Sequence, residues 1–102
     1  MNEHGYNGYR NYQTWNAALW LTNTEGDYRY FESRIAELLE DNDGNQAKAY
    51  FALADEIRDM IEEGNPIEGA GMYSDILTAA LQDIDYLAVA RNFGDYQEGG
   101  AE

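Results

Sequence analysis

Apolar residues recur at helical spacing in several stretches of this chain, and this periodicity restricts its fold more than any other feature. The clearest stretch is 45–63, where one face is apolar and the opposite face is charged. Its apolar positions are Tyr50, Leu53, Ala54, Ile57, Met60 and Ile61. No stretch alternates apolar and polar residues as a half-buried strand does. The sequence therefore predicts an all-α fold, a compact bundle of four to five short helices.

Residues with capping side chains mark the predicted helix starts. We expect the helices to be capped by Thr14, Thr24, Asn45 and Asp85, with one further helix at about 72–84. The second should end near residue 41, the third near 63, and the short last one before Gly94. The helix at 72–84 carries apolar residues at such regular spacing that we expect it to lie in the core.

Both tryptophans lie in the first predicted helix. Large aromatic side chains bury roughly 150–250 Å² each, so two of them can set the geometry of a small core. We therefore expect Trp15, Leu19 and Trp20 to form the centre of the core. Their predicted packing partners are Phe31, Ile57 and Leu77.

The chain of 102 residues is predicted to form a single helical domain at 11–94. Residues 1–10 are rich in Tyr and Gly and should be a flexible leader, and 95–102 should be a disordered acidic tail. There is no cysteine, residues 1–10 lack the apolar segment of a secretory signal, and no apolar run reaches 18 residues, so we expect neither a signal peptide nor a membrane span. We expect a soluble, cytoplasmic protein.

Acidic residues dominate the charge. With 6 Lys and Arg against 20 Asp and Glu, the formal net charge is −14. Binding to nucleic acid or to an anionic membrane draws on clusters of basic residues, which this chain does not have. We therefore expect no nucleic-acid or membrane partner, and instead a basic protein surface.

The sequence offers no catalytic, metal or cofactor site. Its single histidine, His4, lies in the predicted leader, and there is no cysteine nucleophile. The turn at 41–44 resembles a calcium loop in composition, but its register places Leu39 and Tyr50 at ligand positions. Paired carboxylates are abundant and fit a solvated helix face as well as a catalytic pair. We expect that the protein is not an enzyme and holds no metal or cofactor.

Two blocks of sequence resemble a known family. Residues 11–28 contain Asn11-Tyr12-Gln13-Thr14-Trp15, then Leu19-Trp20, Asn23, Glu25-Gly26 and Tyr28. This block resembles the N-Y-[EQ]-T-W-x-x-x-L-W-x-x-N-x-E-G-x-Y signature of a family of small uncharacterised bacterial, archaeal and phage proteins. Residues 73–81 look like that family's second block, Y-[SA]-D-L-L-x-A-A-L. The resemblance carries no activity, and implies only a phage and mobile-element context in which small acidic proteins often inhibit host defence.

The distribution of acids suggests a decoy for DNA. Duplex DNA carries one charge per about 1.7 Å, so a net charge of −14 corresponds to roughly 24 Å of duplex if it lies on one face. We expect the helical hairpin of residues 25–63 to supply this partner-binding surface. Its predicted residues are Glu32, Glu37, Glu40, Asp41, Asp43, Asp55, Glu56, Asp59, Glu62 and Glu63.

Three interpretations of the acidity remain open at this point. The first is an acidic DNA-mimic inhibitor of the anti-CRISPR or anti-restriction type, which occupies the basic nucleic-acid-binding surface of a host defence complex. The second is a structural or assembly module that binds another protein, or a second copy, through exposed aromatics such as Tyr28, Tyr30 and Tyr73. Added salt would not weaken that association. The third is that the acids only keep the protein soluble or adapt it to salt.

Overall fold

The structure, a computed structural model, describes residues 7–67, 69 and 71–94. Within these ranges it contains five α-helices and no strand, which confirms the predicted all-α fold. The helices are α1 (Tyr12–Asn23), α2 (Glu25–Asp41), α3 (Gln46–Glu63), α4 (Met72–Gln82) and α5 (Tyr86–Ala90), followed by a 3-10 turn at Arg91–Phe93. Residues 1–6 of the predicted leader and the whole predicted tail, 95–102, lie outside the described residues.

Two of the predicted caps are confirmed. The Asn45 side chain accepts a hydrogen bond from the Lys48 backbone N–H at 3.1 Å, at the start of α3. The Asp85 carboxylate accepts one from the Ala88 N–H at 3.2 Å, at the start of α5. Each bond satisfies a backbone donor that has no partner inside its own helix.

The predicted cap of α1 is wrong, because Asn11 rather than Thr14 holds that position. The Asn11 side-chain oxygen accepts a hydrogen bond from the Thr14 backbone N–H at 2.9 Å. Thr24 does precede α2, as predicted, but its hydroxyl donates to the Trp20 carbonyl at 2.8 Å. Thr24 therefore satisfies the end of α1 and leaves the start of α2 without a side-chain cap.

Helices α2 and α3 form a helical hairpin joined by a tight turn. Asp43 and Gly44 both have left-handed backbones, with φ values of 56° and 80°. The Gly44 N–H donates to the Leu39 carbonyl at 2.7 Å, which closes the last turn of α2. This is the helix-terminating turn that the sequence predicts at 41–44.

The core lies where α2, α3 and α5 meet, and α1 closes one side of it. The rings of Phe31 and Phe93 stand 5.1 Å apart between centroids, and Tyr50 is also fully buried. Aliphatic side chains from α3 and α5 fill the remaining space. The buried apolar residues are Ala18, Leu21, Phe31, Ile35, Leu38, Ala49, Tyr50, Leu53, Ala54, Ile57, Val89, Ala90 and Phe93.

The tryptophans do not form the centre of this core, so that prediction is wrong. Trp20 is 67% exposed and Leu19 is 38% exposed. The buried residues of α1 are Thr14, Ala18 and Leu21. The buried positions of α1 thus begin at Thr14, one residue before Trp15, and a shift of one residue turns a helix by about 100°.

The prediction that the fourth helix lies in the core is also wrong. No residue of α4 is buried, and Met72, Tyr73 and Ile76 at its start are 64%, 72% and 60% exposed. The place expected for α4 is taken by α5 and the following turn, which supply Val89, Ala90 and Phe93 to the core. An apolar stripe shows that a helix has a face to cover, but does not identify what covers it.

Hydrogen bonds tie the start of α1 to the segment between α4 and α5. The Asn11 side chain donates to the Asp83 carbonyl at 2.7 Å. The Thr14 hydroxyl accepts a hydrogen bond from the Asp85 backbone N–H at 2.8 Å. These bonds fix the C-terminal end of α4 beside the N-terminal end of α1.

Candidate functional site

The strongest candidate for a binding site is an open groove of about 580 Å³ between α2 and α3. We call it the acidic groove, since four of its lining side chains are carboxylates. It is lined by Tyr30, Arg34, Glu37, Glu56, Asp59, Met60 and Glu63.

Helical spacing places these residues on facing sides of the hairpin. Tyr30, Arg34 and Glu37 follow one another at i, i+4 and i+7 on α2. On α3 the lining residues, 56, 59, 60 and 63, have the spacing i, i+3, i+4 and i+7. Residues at these intervals share one face of a helix, so each helix contributes one wall of the groove.

Arg34 joins the two walls. Its Nε lies 2.9 and 3.0 Å from the two carboxylate oxygens of Glu56, and its Nη2 lies 2.7 Å from Glu56 Oε2. Its Nη1 donates to Glu37 Oε1 at 3.0 Å. The hydrogen bonds to Glu56, and then the one to Glu37, raise the pKa of the Arg34 guanidinium above its usual value. Arg34 therefore orients Glu37 and Glu56 in the groove.

The groove keeps an excess of negative charge after this pairing. Its four carboxylates face one guanidinium, which leaves a net charge of −3. Asp59 lies 3.9 Å from Arg58 Nε, too far for a strong hydrogen bond. The carboxylates of Asp59 and Glu63 can therefore accept hydrogen bonds from an added cationic group, such as an arginine or lysine side chain.

Apolar groups stand beside these carboxylates. Tyr30 is 58% exposed and Met60 is 38% exposed. The Tyr30 ring packs edge-on against the buried Phe31 ring, with centroids 5.1 Å apart. Arginine and lysine have an apolar stem and a charged head, so a groove with exposed apolar groups beside carboxylates matches both parts of such a side chain.

Four of the ten acids predicted to bind a partner line the acidic groove, and six do not. Glu37, Glu56, Asp59 and Glu63 meet in the acidic groove. Glu32 lines a depression beside Gly94, and Glu62 lines another beside Thr78. Asp55 pairs with Arg58 at 3.3 Å. The remaining three lie at the end of α2 and in the turn that follows: Glu40, Asp41 and Asp43.

The hairpin alone carries less net charge than the whole chain, and so resembles a shorter stretch of DNA. Residues 25–63 carry 12 acids and 4 bases, hence a net charge of −8 rather than −14. At one charge per about 1.7 Å, eight charges correspond to roughly 14 Å of duplex, or about four base pairs.

The three aromatics named from the sequence have different surroundings. Tyr28 is half-buried, and its ring packs against Phe93 with centroids 5.8 Å apart. Tyr30 lines the acidic groove, and Tyr73 stands exposed on α4.

The role of Arg34 was not predicted from the sequence. The spacing of Arg34 and Glu37 on one helix gave a local signal for its bond to Glu37, but not for its bonds to Glu56.

Metal ligands do not gather in the part of the chain that the structure covers, where no three His, Cys, Asp or Glu side chains are placed to share an ion. His4 lies outside the described residues. None of the helices described is long and apolar enough to cross a membrane.

The sequence of this hairpin, together with α1, places the protein in a family. The chain belongs to the Family of unknown function (DUF7249), whose model matches residues 2–63 and so includes α1, α2 and α3. The resemblance of residues 73–81 to a second family block lies beyond the matched range and stays a prediction. Searches of curated proteins and of solved structures gave no match.

Proposed function

We propose that this protein is an acidic inhibitor that occupies the basic nucleic-acid-binding surface of a host defence complex, of the anti-CRISPR or anti-restriction type. The observation that carries the proposal is the acidic groove, where four carboxylates from two helices lie beside the exposed Tyr30 and Met60. The phage context implied by the sequence resemblance favours a defence complex as the target.

A surface built to bind phosphates can bind this groove by the same interactions. Such surfaces present Arg and Lys, which form short charge-assisted hydrogen bonds with carboxylates as well as with phosphates. Carboxylates three or four residues apart on a helix are about 5–6 Å apart at Cβ, a spacing similar to that of phosphates along a strand. The net charge of −14 would attract the complex at long range and raise the association rate.

Displacement of DNA from such complexes tests the proposal directly. A labelled duplex is bound to each member of a panel of CRISPR effector complexes and restriction enzymes at low salt, and the protein is added while fluorescence anisotropy is measured. We expect the wild type to displace the duplex from its target. The variant Asp59→Lys with Glu63→Lys should need at least about tenfold more protein, since each lost ion pair removes on the order of 1 kcal/mol or more.

A charge-matched control separates the groove from the general acidity. Glu32→Lys with Glu62→Lys changes the net charge by the same amount, but both residues lie outside the acidic groove. This control should displace the duplex nearly as well as the wild type. If the two double variants lose activity equally, the groove is not the binding site. If the wild type displaces no duplex from any complex at low salt, the inhibitor proposal fails and the acids serve only solubility or salt adaptation.

The assembly module is the second candidate, and the exposure of Tyr73 and Trp20 favours it. These side chains are 72% and 67% exposed, and neither lines the acidic groove. Binding through such aromatics would persist at high salt, because burial of apolar surface does not depend on charge. Binding through the acidic groove would weaken as salt is added, so a salt titration of any complex distinguishes the two candidates.

A further inference from the structure

A second groove, of about 390 Å³, separates α1 from α4. Tyr12, Asn16 and Ala17 line its α1 wall, Leu77 and Leu81 line its α4 wall, and Ile61 of α3 also lines it. All of its lining residues are uncharged. An apolar groove of this size leaves the facing stripes of α1 and α4 without full contact inside one chain.

A ridge of exposed apolar side chains stands next to this groove. Met72, Tyr73 and Ile76, in the first turns of α4, are 64%, 72% and 60% exposed. On α1, Trp20 follows Tyr12 and Asn16 at intervals of four residues, so it extends the same wall by one turn. We call this ridge and groove together the α1–α4 face.

Charge is almost absent from the two helices that form this face. The 12 residues of α1 include no charged side chain, and the 11 residues of α4 include only Asp75. By contrast, residues 25–63 carry 12 acids and 4 bases. The protein therefore has a charged hairpin and a separate face at which two like-charged molecules can come together.

We propose that the α1–α4 face is a homodimer interface, in which the ridge of each copy fills the groove of the other across a two-fold axis. An interface of this symmetry requires a surface that is complementary to itself. The α1–α4 face meets this requirement, since it presents a projecting ridge and an apolar groove side by side. This proposal is independent of the acidic groove and of its partner.

The exposed apolar area is about what a stable dimer needs. Tyr12, Trp20 and Tyr73 are 51%, 67% and 72% exposed, and at roughly 200 Å² for each aromatic they offer about 400 Å². Met72 and Ile76 add to this area. A standard interface covers about 800 Å² on each partner, and about 65% of a homodimer interface is apolar, which requires roughly 520 Å².

The charge of the protein gives this dimer a characteristic salt dependence. Two copies with a net charge of −14 each repel one another, although the contact itself is uncharged. Added salt screens this repulsion and leaves apolar burial intact. The dimer should therefore hold or tighten as salt is raised, which is the opposite of binding through the acidic groove.

Analytical ultracentrifugation over a concentration series, at low and high salt, tests the proposal. We expect the wild type to shift from 11.6 kDa to twice that mass as concentration rises. Ile76→Lys should weaken dimerisation by at least about tenfold, because the ammonium would be buried against the second copy. Phe51→Lys is the matched control: it makes the same charge change at a residue of α3 that is 58% exposed and does not line the groove.

Tryptophan fluorescence locates the contact independently. In a Trp15→Phe background Trp20 is the single tryptophan, and its emission should move to shorter wavelength as the dimer forms. A wild type that remains monomeric at hundreds of micromolar in high salt overturns the proposal. The proposal is also overturned if Ile76→Lys and Phe51→Lys dimerise with equal affinity, or if dimer formation leaves the emission of Trp20 unchanged.

Discussion

Replacement of Thr14 by valine removes one hydrogen bond and leaves the shape of the side chain almost unchanged. Thr14 is fully buried, and it is the buried polar residue among the described ones. Its hydroxyl accepts a hydrogen bond at 2.8 Å from the backbone N–H of Asp85, the residue that caps α5. Valine offers a methyl group in place of that acceptor, so the Asp85 N–H loses its partner.

The expected loss follows from the cost of a buried donor without a partner. That cost is about 1–3 kcal/mol, so Thr14→Val should lower the free energy of unfolding by about 2 kcal/mol. Thr14→Ser keeps the hydroxyl and loses one methyl group, which costs about 0.5–1.5 kcal/mol in a packed site. In a domain of this size, each kcal/mol corresponds to about 4–8 °C in Tm.

Urea unfolding followed by far-UV circular dichroism, at a concentration too low for dimers, measures both variants. Thr22→Val serves as the control, because the Thr22 hydroxyl donates at 2.7 Å to the Ala18 carbonyl within α1. Removing that donor orphans no N–H group, so we expect a change of less than about 0.5 kcal/mol. Hydrogen exchange of the Asp85 amide should also become faster in Thr14→Val than in Thr22→Val.

The order of the two Thr14 variants decides whether the reasoning is correct. If the hydrogen bond dominates, valine is worse than serine. Should Thr14→Val prove as stable as Thr14→Ser or more stable, the methyl contacts outweigh the hydrogen bond, and the role assigned to the Thr14 hydroxyl is refuted.

Two further predictions follow from the described side chains. Trp20→Ala in the monomer should change the free energy of unfolding by less than about 0.5 kcal/mol, since Trp20 is 67% exposed; a loss of several kcal/mol in urea unfolding would contradict the burial assigned to α1. Burial, and to a lesser extent the charge of Glu62, raise the pKa of the Tyr86 hydroxyl, which donates to the Leu81 carbonyl at 2.9 Å. The folded state therefore favours the neutral hydroxyl. Its contribution to the free energy of unfolding is complete below the unfolded pKa of about 10, and is lost as pH rises through the higher folded pKa. Urea midpoints measured from neutral to strongly alkaline pH should fall less steeply for Tyr86→Phe than for the wild type.

The sequence determined the helices themselves. The bounds of α2 and α3 and the caps Asn45 and Asp85 could be predicted, since helical periodicity and capping depend on residues within a few positions of one another. The excess of acids over bases is likewise a property of composition.

Only the tertiary structure decided which helix faces are covered. Val89 reaches the core from α5 and Phe93 from the 3-10 turn that follows it. Helix α4 remains at the edge, with an apolar face that the sequence alone had suggested was buried. The tryptophan prediction failed for a related reason. The side of α1 that packs is set by contacts with distant residues, such as the bond between Thr14 and Asp85, which are 71 positions apart.

The acidic groove depends on the same kind of information. Charge and periodicity indicated an acidic hairpin, but not which carboxylates would come together. The packing of α2 against α3 in the core brings Arg34 to Glu56, 22 residues away, and sets which acids line the groove. Local sequence thus determined the helices and their charge, whereas packing between distant residues determined which side chains are buried, which are exposed and which act together.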